Sequence, residues 1–135
     1  QEAALAWGVG MASPQEIDQL GILPATRLAA WRAIQALQPA PQHLLLDWLL
    51  LPDLDIPQTT LVKGDCRVLS VAAASILAKT ARDDLMVGLA TQYPAYGFEQ
   101  HKGYGTLAHR RALASCGPCP QHRLTWKLHG EQHAS

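Results

Sequence analysis

The stretch from Val68 to Tyr93 constrains the fold most, because it is long, rich in alanine and free of proline until Pro94. Alanine has the highest helix propensity, whereas proline cannot continue a helix and disfavours helical backbone in the residue before it. The pattern therefore predicts one long helix that ends just before Pro94.

Three apolar stretches predict strands. They are residues 3–12, His43–Trp48 and Thr59–Val62. The first is apolar throughout, which is typical of a strand buried on both faces, and prolines flank the second. A fully apolar start is unusual near a chain end, which normally lies at the surface, so we expect a further segment before it.

Capping residues predict the first helix. Ser13, Pro14 and Glu16 form a capping box for a short helix that stops at Gly21. A second helix is predicted from Pro24 to Leu37. Its predicted buried residues are Leu28, Trp31, Ile34 and Leu37.

The last predicted helix follows the cap Thr106 and ends at Gly117, where prolines prevent its continuation. Strands that alternate with helices are typical of α/β proteins. We therefore expect one layer of helices against a mixed sheet.

Composition excludes several classes of protein. With 48% apolar and 16% charged residues, the chain is not a disordered one. No apolar run reaches the ~18 residues of a membrane span, and Gln1-Glu2 does not begin a signal peptide. Three cysteines are poor evidence for a disulfide framework, so a cytoplasmic protein is expected.

The formal net charge is zero, but basic residues are concentrated in residues 100–130, which contain no Asp or Glu. They are Lys102, Arg110, Arg111, Arg123 and Lys127, with His101, His109, His122 and His129 among them. A local basic surface can neutralise phosphates even in a neutral protein. A solvated helix followed by a tail explains the same pattern.

Asp47 and Asp83 are candidate metal ligands. Asp47 ends a triple-leucine strand, where α/β folds bind ligands, and Asp83 shares one stripe of the long helix with Lys79. Mg²⁺ or Mn²⁺ prefers oxygen ligands, and two ions about 4 Å apart can cleave a phosphodiester. The alternatives are a turn-capping Asp47 and a solvated Lys79–Asp83 ion pair. Asp53, Asp55 and Asp65 lie in loops and are set aside.

Cys116-Gly117-Pro118-Cys119 matches the redox motif of thioredoxins, but it lies at the end of a helix and no strand precedes it. The negative pole of the helix dipole disfavours a thiolate there, so we expect no redox activity. A metal site formed with His122 would lack a fourth ligand.

Three motifs, in order and correctly spaced, resemble the bacterial ribonuclease HII family. They are KGDCRVLSVAAASILAKTARD (63–83), YPAYGFEQHKGYGT (93–106) and GPCPQHRLTW (117–126). With ALAWGVGMAS and LLLD, the resemblance covers nearly the whole chain. It implies a ribonuclease H-like fold in residues 1–118 and a nucleic-acid-contacting tail in residues 119–135.

The resemblance also implies the activity. The family hydrolyses the phosphodiester 5′ to a ribonucleotide in duplex DNA or in RNA/DNA hybrids, with Mg²⁺ or Mn²⁺ held by four carboxylates. Asp47 and Asp83 match the third and fourth of these. Tyr104 resembles the tyrosine that packs at the RNA–DNA junction. The implied phosphate contacts are Lys63, Lys102, His122 and Arg123. The full-length enzyme is expected to be a monomer without membrane contacts.

The chain departs from the family pattern at its start. It contains no Asp-Glu pair and no Gly-Arg-Gly, which supply the other two ligands and the 2′-OH contacts. The first strands of the family's sheet are therefore expected to be missing, and this chain alone is expected to be inactive. The alternative is a non-catalytic nucleic-acid-binding module.

Overall fold

The computed structural model describes residues 4–125. The helices are α1 (Pro14–Leu20), α2 (Ile22–Gln35), α3 (Leu69–Gln92), α4 (Phe98–His101) and α5 (Leu107–Cys116), and the strands are β1 (Leu44–Asp47) and β2 (Gln58–Leu61). Two 3₁₀ turns, Gly64–Cys66 and Pro94–Tyr96, precede α3 and α4 respectively.

The two strands form a parallel pair, in a register that runs from Leu44 opposite Gln58 to Asp47 opposite Leu61. Helix α3 packs against β1 and against the turn Gly64–Cys66. The α/β class is confirmed. Within the described part of the chain, both strands run in the same direction, so the mixed sheet expected of the family is represented there by a parallel pair alone.

The predicted helix ends are confirmed where capping residues set them. The side chain of Ser13 accepts a hydrogen bond from the Glu16 amide, Glu16 accepts one from the Ser13 amide, and Gly21 ends α1. Arg32 on α2 forms an ion pair with Glu16 at 2.6 Å, which joins the first two helices.

The predicted strand over residues 3–12 is wrong for the described residues 4–12, which have no strand structure. Leu5 is 95% exposed and Trp7 is 53% exposed. An apolar segment becomes a strand only where a neighbour pairs with its backbone, and no described segment does so here.

The buried face predicted for α2 is also partly wrong, since Trp31 is exposed and Ala25 is the buried residue of this helix. Helix α2 packs on the short α1, and Gly8 and Gly10 lie against its Ala29 and Ala33.

The core lies where the C-terminal half of α3 meets α4 and α5. It consists of Leu89, Tyr96, Phe98, Leu113 and Cys119. Cys119 belongs to this core, and the residues after it are bound to α1. The Pro120 carbonyl accepts a hydrogen bond from the side chain of Gln15, and Asp18 accepts two from the amides of residues 124 and 125. A separate tail beginning at residue 119 stays a prediction.

None of the helices between residues 4 and 125 is both long and apolar enough to cross a membrane.

Candidate functional site

Two carboxylates lie at the turn Gly64–Cys66. Asp47, the last residue of β1, accepts a hydrogen bond from the backbone amide of Gly64 at 2.9 Å through its Oδ1. Asp65 is the next residue along the chain. We call Asp47 and Asp65 the acid pair.

The charges of both members of the acid pair raise the pKa of the Cys66 thiol. Its pKa is raised first by the negative charge of Asp65, then by a hydrogen bond to that carboxylate and by partial desolvation, and also by the charge of Asp47. Both carboxylates therefore lie near this thiol.

Residues beside each member of the acid pair have left-handed backbone. Trp48 follows Asp47 with φ 64°, and Lys63 precedes Gly64 with φ 53°. A bulky residue rarely adopts this conformation, which costs about 1–3 kcal/mol and is concentrated at functional sites. The strain is therefore an independent indication that this turn is a site.

Asp83, the second ligand predicted from sequence, lies elsewhere on α3. Its carboxylate accepts a hydrogen bond from Lys79 at 2.7 Å, and this contact is the first cause of its lowered pKa. Its Oδ1 is buried without a hydrogen-bond partner, with Arg82 at 4.0 Å.

The position of Asp83 along α3 separates it from the turn. Val71 is the helix residue that lies beside Gly64, and Asp83 follows it by twelve residues, which is about 18 Å of helix. The convergence of Asp47 and Asp83 stays a prediction.

The acid pair fits a hard divalent ion, because it supplies two exposed carboxylates and no Lys or Arg between residues 4 and 125 forms an ion pair with either. No set of three or more His, Cys, Asp or Glu residues arranged for a metal occurs between residues 4 and 125. By itself the pair would supply only two of the ligands that a metal site needs. Sequence reasoning missed Asp65, although its place directly after Gly64 in the KGD motif was a usable signal.

Tyr104 is exposed and lies against α3. Its side chain is 52% exposed, and the guanidinium carbon of Arg82 lies 5.0 Å from its ring centroid. Lys102, two residues earlier, has left-handed backbone and donates a hydrogen bond to the carbonyl of Glu99.

A groove of about 700 Å³ runs between residues 9–17, α3 and α5. Arg82, Arg110 and Arg123 line it over an apolar floor that includes Met86 and Phe98. No carboxylate is among its described lining residues. This arginine groove places part of the predicted basic region on one surface, while Lys127 and His129 lie outside the described residues.

His122 is buried rather than presented to solvent. Its Nε2 lies 3.0 Å from Nε2 of His109, and its Nδ1 accepts a hydrogen bond from the Cys119 amide. Desolvation is the first cause of the lowered pKa of both His109 and His122. Because both nitrogens of His122 are already bound, a structural role is better supported than the predicted direct contact with phosphate.

The CGPC cysteines lie where the sequence predicts. Cys116 is the last residue of α5 and is exposed, whereas Cys119 is buried in the core. Both thiols are free. Their predicted lack of redox activity stays a prediction.

Comparison with known proteins identifies the family. The sequence pattern of ribonuclease HII matches residues 3–129. The ribonuclease HII of Parabacteroides distasonis is 53% identical over 133 residues, which cover 98% of this chain and 67% of the relative. That of Chloroflexus aurantiacus is 54% identical over 127 residues, which cover 94% of this chain and 60% of the relative. The chain belongs to the ribonuclease HII family.

The ribonuclease HII relatives are longer proteins. The chain spans 66% of the Bacteroides thetaiotaomicron ribonuclease HII, to which it is 51% identical over 132 residues, and thus about two thirds of the curated relatives' length. The resemblance in the three motifs is confirmed as family membership.

Proposed function

We propose that this ribonuclease HII family member serves as a divalent-metal-dependent endonuclease. In the proposal the complete enzyme, to whose metal site this chain contributes two carboxylates, cleaves the RNA strand of RNA/DNA hybrids and cuts 5′ to ribonucleotides embedded in duplex DNA. Family membership supports a ribonuclease H activity. The convergence of Asp47 and Asp65 on one turn is the single observation that carries the metal chemistry.

In the proposed site, Asp47 and Asp65 hold Mg²⁺ or Mn²⁺, and Asp65 takes the place that the sequence prediction gave to Asp83. Three observations favour Asp65: the Gly64 amide orients Asp47, the Cys66 thiol senses both carboxylates, and Lys79 already neutralises Asp83. When bound, the ion would activate the attacking water and stabilise the leaving oxygen.

The proposed nucleic-acid surface combines Tyr104 with the arginine groove. A half-exposed aromatic ring can pack on a sugar or base, and the three groove arginines place positive charge on one surface. Lys63 and Lys102 would add phosphate contacts from the two left-handed turns. Such phosphate contacts position the duplex but do not recognise the ribonucleotide. That recognition would come from groups, such as Tyr104, that contact the RNA–DNA junction.

Paramagnetic broadening of backbone NMR signals by Mn²⁺ tests the metal site. We expect selective broadening around Gly64 and Cys66, and loss of this broadening in Asp47→Asn and in Asp65→Asn. Asp83→Asn is the matched control, since it removes one carboxylate on α3 away from the turn and should leave the broadening unchanged. Broadening centred on Asp83 instead would restore the sequence prediction and reject Asp65.

A second candidate function is non-catalytic nucleic-acid binding. One observation favours it for this chain, namely that no third ligand joins the acid pair among the residues described. Binding of a ribonucleotide-containing duplex by a chain that shows no Mn²⁺ broadening at Gly64 and Cys66 would support this candidate. Cleavage that depends on Asp47 would exclude it.

A further inference from the structure

A chain of hydrogen bonds runs through three buried histidines and links the loop of Tyr104 to the segment that carries Arg123. His109 Nδ1 lies 3.0 Å from the Tyr104 carbonyl, and His109 Nε2 lies 3.0 Å from Nε2 of His122. On the far side, His122 Nδ1 accepts a hydrogen bond at 3.0 Å from the amide of Cys119.

The partners fix where each proton sits. A carbonyl only accepts, so the proton of neutral His109 is on Nδ1 and its Nε2 accepts. His122 Nε2 must then donate to it, which leaves Nδ1 free to accept from the Cys119 amide. The opposite tautomer of His122 would set two acceptor nitrogens against each other at 3.0 Å.

His101 continues the chain on the loop side. Its Nε2 lies 2.7 Å from the Tyr96 carbonyl and so donates, while its Nδ1 accepts from the Gly103 amide at 3.2 Å. Its backbone carbonyl accepts from the Tyr104 amide at 2.8 Å. Both backbone groups of Tyr104 are thereby bound to histidine residues.

We infer that His109 and His122 are positioning residues that hold the Tyr104 loop and the Arg123 segment in fixed relation, and that both rings must be neutral to do so. The inference rests on the proposed function for the substrate roles of Tyr104 and Arg123. Neither histidine touches substrate in this arrangement; each acts through the backbone that it binds.

Packing holds the rings in register. Phe98 is 1% exposed and lies 5.7 Å from His109 and 5.6 Å from His122, centroid to centroid. His101 stacks on His109 at 4.4 Å with 14° between the planes. An apolar side chain would fill the same space, but it could not bind two backbone segments at once. The hydrogen bonds between the two segments therefore explain why histidine rather than an apolar residue occupies positions 109 and 122.

The surroundings favour neutral rings. The titratable and charged groups that face the pair are His101, Tyr96 and Cys119 from the core and Arg82, Arg110 and Arg123 from the arginine groove. Among the described groups that contact either ring, none is a carboxylate that could stabilise an imidazolium. A proton added to His109 would set two N–H groups against each other. One added to Nδ1 of His122 would deprive the Cys119 amide of its acceptor at 3.0 Å and leave only the longer contact with the Cys119 carbonyl at 3.3 Å.

The sign of the pH dependence follows from the lowered pKa of both rings. The unfolded chain takes up protons first as pH falls below about 6.5, so the stabilisation by the pair is present above that pH and is lost below it. The loss ends once pH has passed the folded pKa values.

Nitrogen-15 NMR of the intact chain tests the tautomers. At neutral pH we expect protons on Nδ1 of His109 and on Nε2 of His101 and His122. The rings of His109 and His122 should remain neutral at a pH where an unfolded imidazole is half protonated. A proton on Nε2 of His109, or an imidazolium in either ring at neutral pH, would overturn the inference.

Two substitutions at one position separate the link from simple packing. The shorter side chain in His109→Asn can still donate a hydrogen bond to the Tyr104 carbonyl but cannot reach His122. The longer side chain in His109→Gln can still reach His122 but no longer binds the Tyr104 carbonyl. We expect the first to shift amide signals of the Arg123 segment and the second to shift those of residues 103–105. His43→Gln, at an exposed histidine, is the matched control and should shift neither.

Binding of a duplex with a single ribonucleotide, measured by fluorescence anisotropy, supplies the functional arm. Each His109 variant should weaken binding by about fivefold, as expected for one lost hydrogen bond. Unchanged binding, or identical shifts over the whole core in both variants, would reject the positioning role. A wild-type chain that binds no duplex would instead refute the proposed function, while the separate signal shifts would still establish the link.

Discussion

The guanidinium group of Arg82 lies over the ring of Tyr104, 5.0 Å from its centroid. This contact joins α3 to the loop of Tyr104, whose backbone is hydrogen-bonded to His101 and His109. A cation over an aromatic face contributes about 0.5–1 kcal/mol at an exposed site and restricts the ring's orientation. Tyr104 is therefore presented at the surface in a defined position.

The first prediction concerns the ring of Tyr104. Tyr104→Ala should weaken binding to a duplex with one ribonucleotide by about tenfold, as expected for the loss of one stacking platform, whereas Tyr104→Phe should keep most of the affinity. Fluorescence anisotropy measures both. Trp31→Ala removes an exposed aromatic ring on α2 and serves as the control. Equal losses in Tyr104→Phe and Tyr104→Ala would assign the role to the hydroxyl instead.

The second prediction concerns the arginine groove. Arg110→Gln should weaken binding to all-DNA and ribonucleotide-containing duplexes by the same factor, because a phosphate contact carries no sequence information. The slope of log K against log salt should fall by about one. Arg27→Gln, on α2 outside the groove, should leave the slope unchanged. A loss confined to the ribonucleotide-containing duplex would contradict this assignment.

The third prediction concerns the ion pair between Glu16 and Arg32. Arg32 and the Ser13 amide lower the pKa of Glu16 to about 2. The pair therefore stabilises the fold above the unfolded pKa of about 4.5, and the stabilisation is lost as pH falls from there to about 2.

Urea unfolding of Glu16→Gln measures this effect. The variant should be less stable than the wild type at pH 7, and the difference should shrink as pH falls through that window. Asp84→Asn, at an exposed acid on α3, is the control. A difference that persists unchanged at pH 2 would assign the effect to the capping geometry rather than to charge.

The fourth prediction concerns the thiols. Cys116 and Cys119 should react with an alkylating reagent at neutral pH no faster than a free thiol, since the C-terminal end of α5 disfavours a thiolate. Cys119 should react slowest because it is buried. Mass spectrometry of partly alkylated chain gives the order, and rapid modification of Cys116 would show an activated thiol.

Local features of the fold could be predicted from sequence, and features that join distant segments could not. Ser13, Thr106 and Gly117 set helix ends through bonds to residues within one turn, so their patterns are complete in the sequence. A strand at residues 4–12 depends on a pairing partner, which the local pattern does not contain.

The candidate site divides in the same way. Asp47 could be predicted because it ends an apolar strand. Asp65 becomes a candidate ligand only in the folded chain, where the hydrogen bond from the Gly64 amide to Asp47 brings the two acids to one turn. Asp83 matches a helical stripe equally well as a ligand or as the partner of Lys79, and the structure shows the ion pair. The histidine chain joins three segments, so no single motif could predict it.

The last prediction is that this 135-residue chain binds its substrate but does not cleave it. The acid pair supplies two carboxylates, and no third ligand joins them in the part of the chain that the structure describes. Two carboxylates cannot neutralise and orient two divalent ions for in-line displacement. The binding that remains should come from the arginine groove and should weaken steeply with salt.

A gel assay on a duplex with one embedded ribonucleotide, in Mg²⁺ and in Mn²⁺, measures this prediction. The longer ribonuclease HII of Parabacteroides distasonis, assayed in parallel, shows whether the substrate and the metal are competent. Retarded but intact duplex is the expected result for the present chain. Cleavage 5′ to the ribonucleotide, abolished by Asp47→Asn and by Asp65→Asn but not by Asp83→Asn, would show that the acid pair suffices. The requirement for further ligands would then be wrong, while the identity of the metal-binding carboxylates would stand.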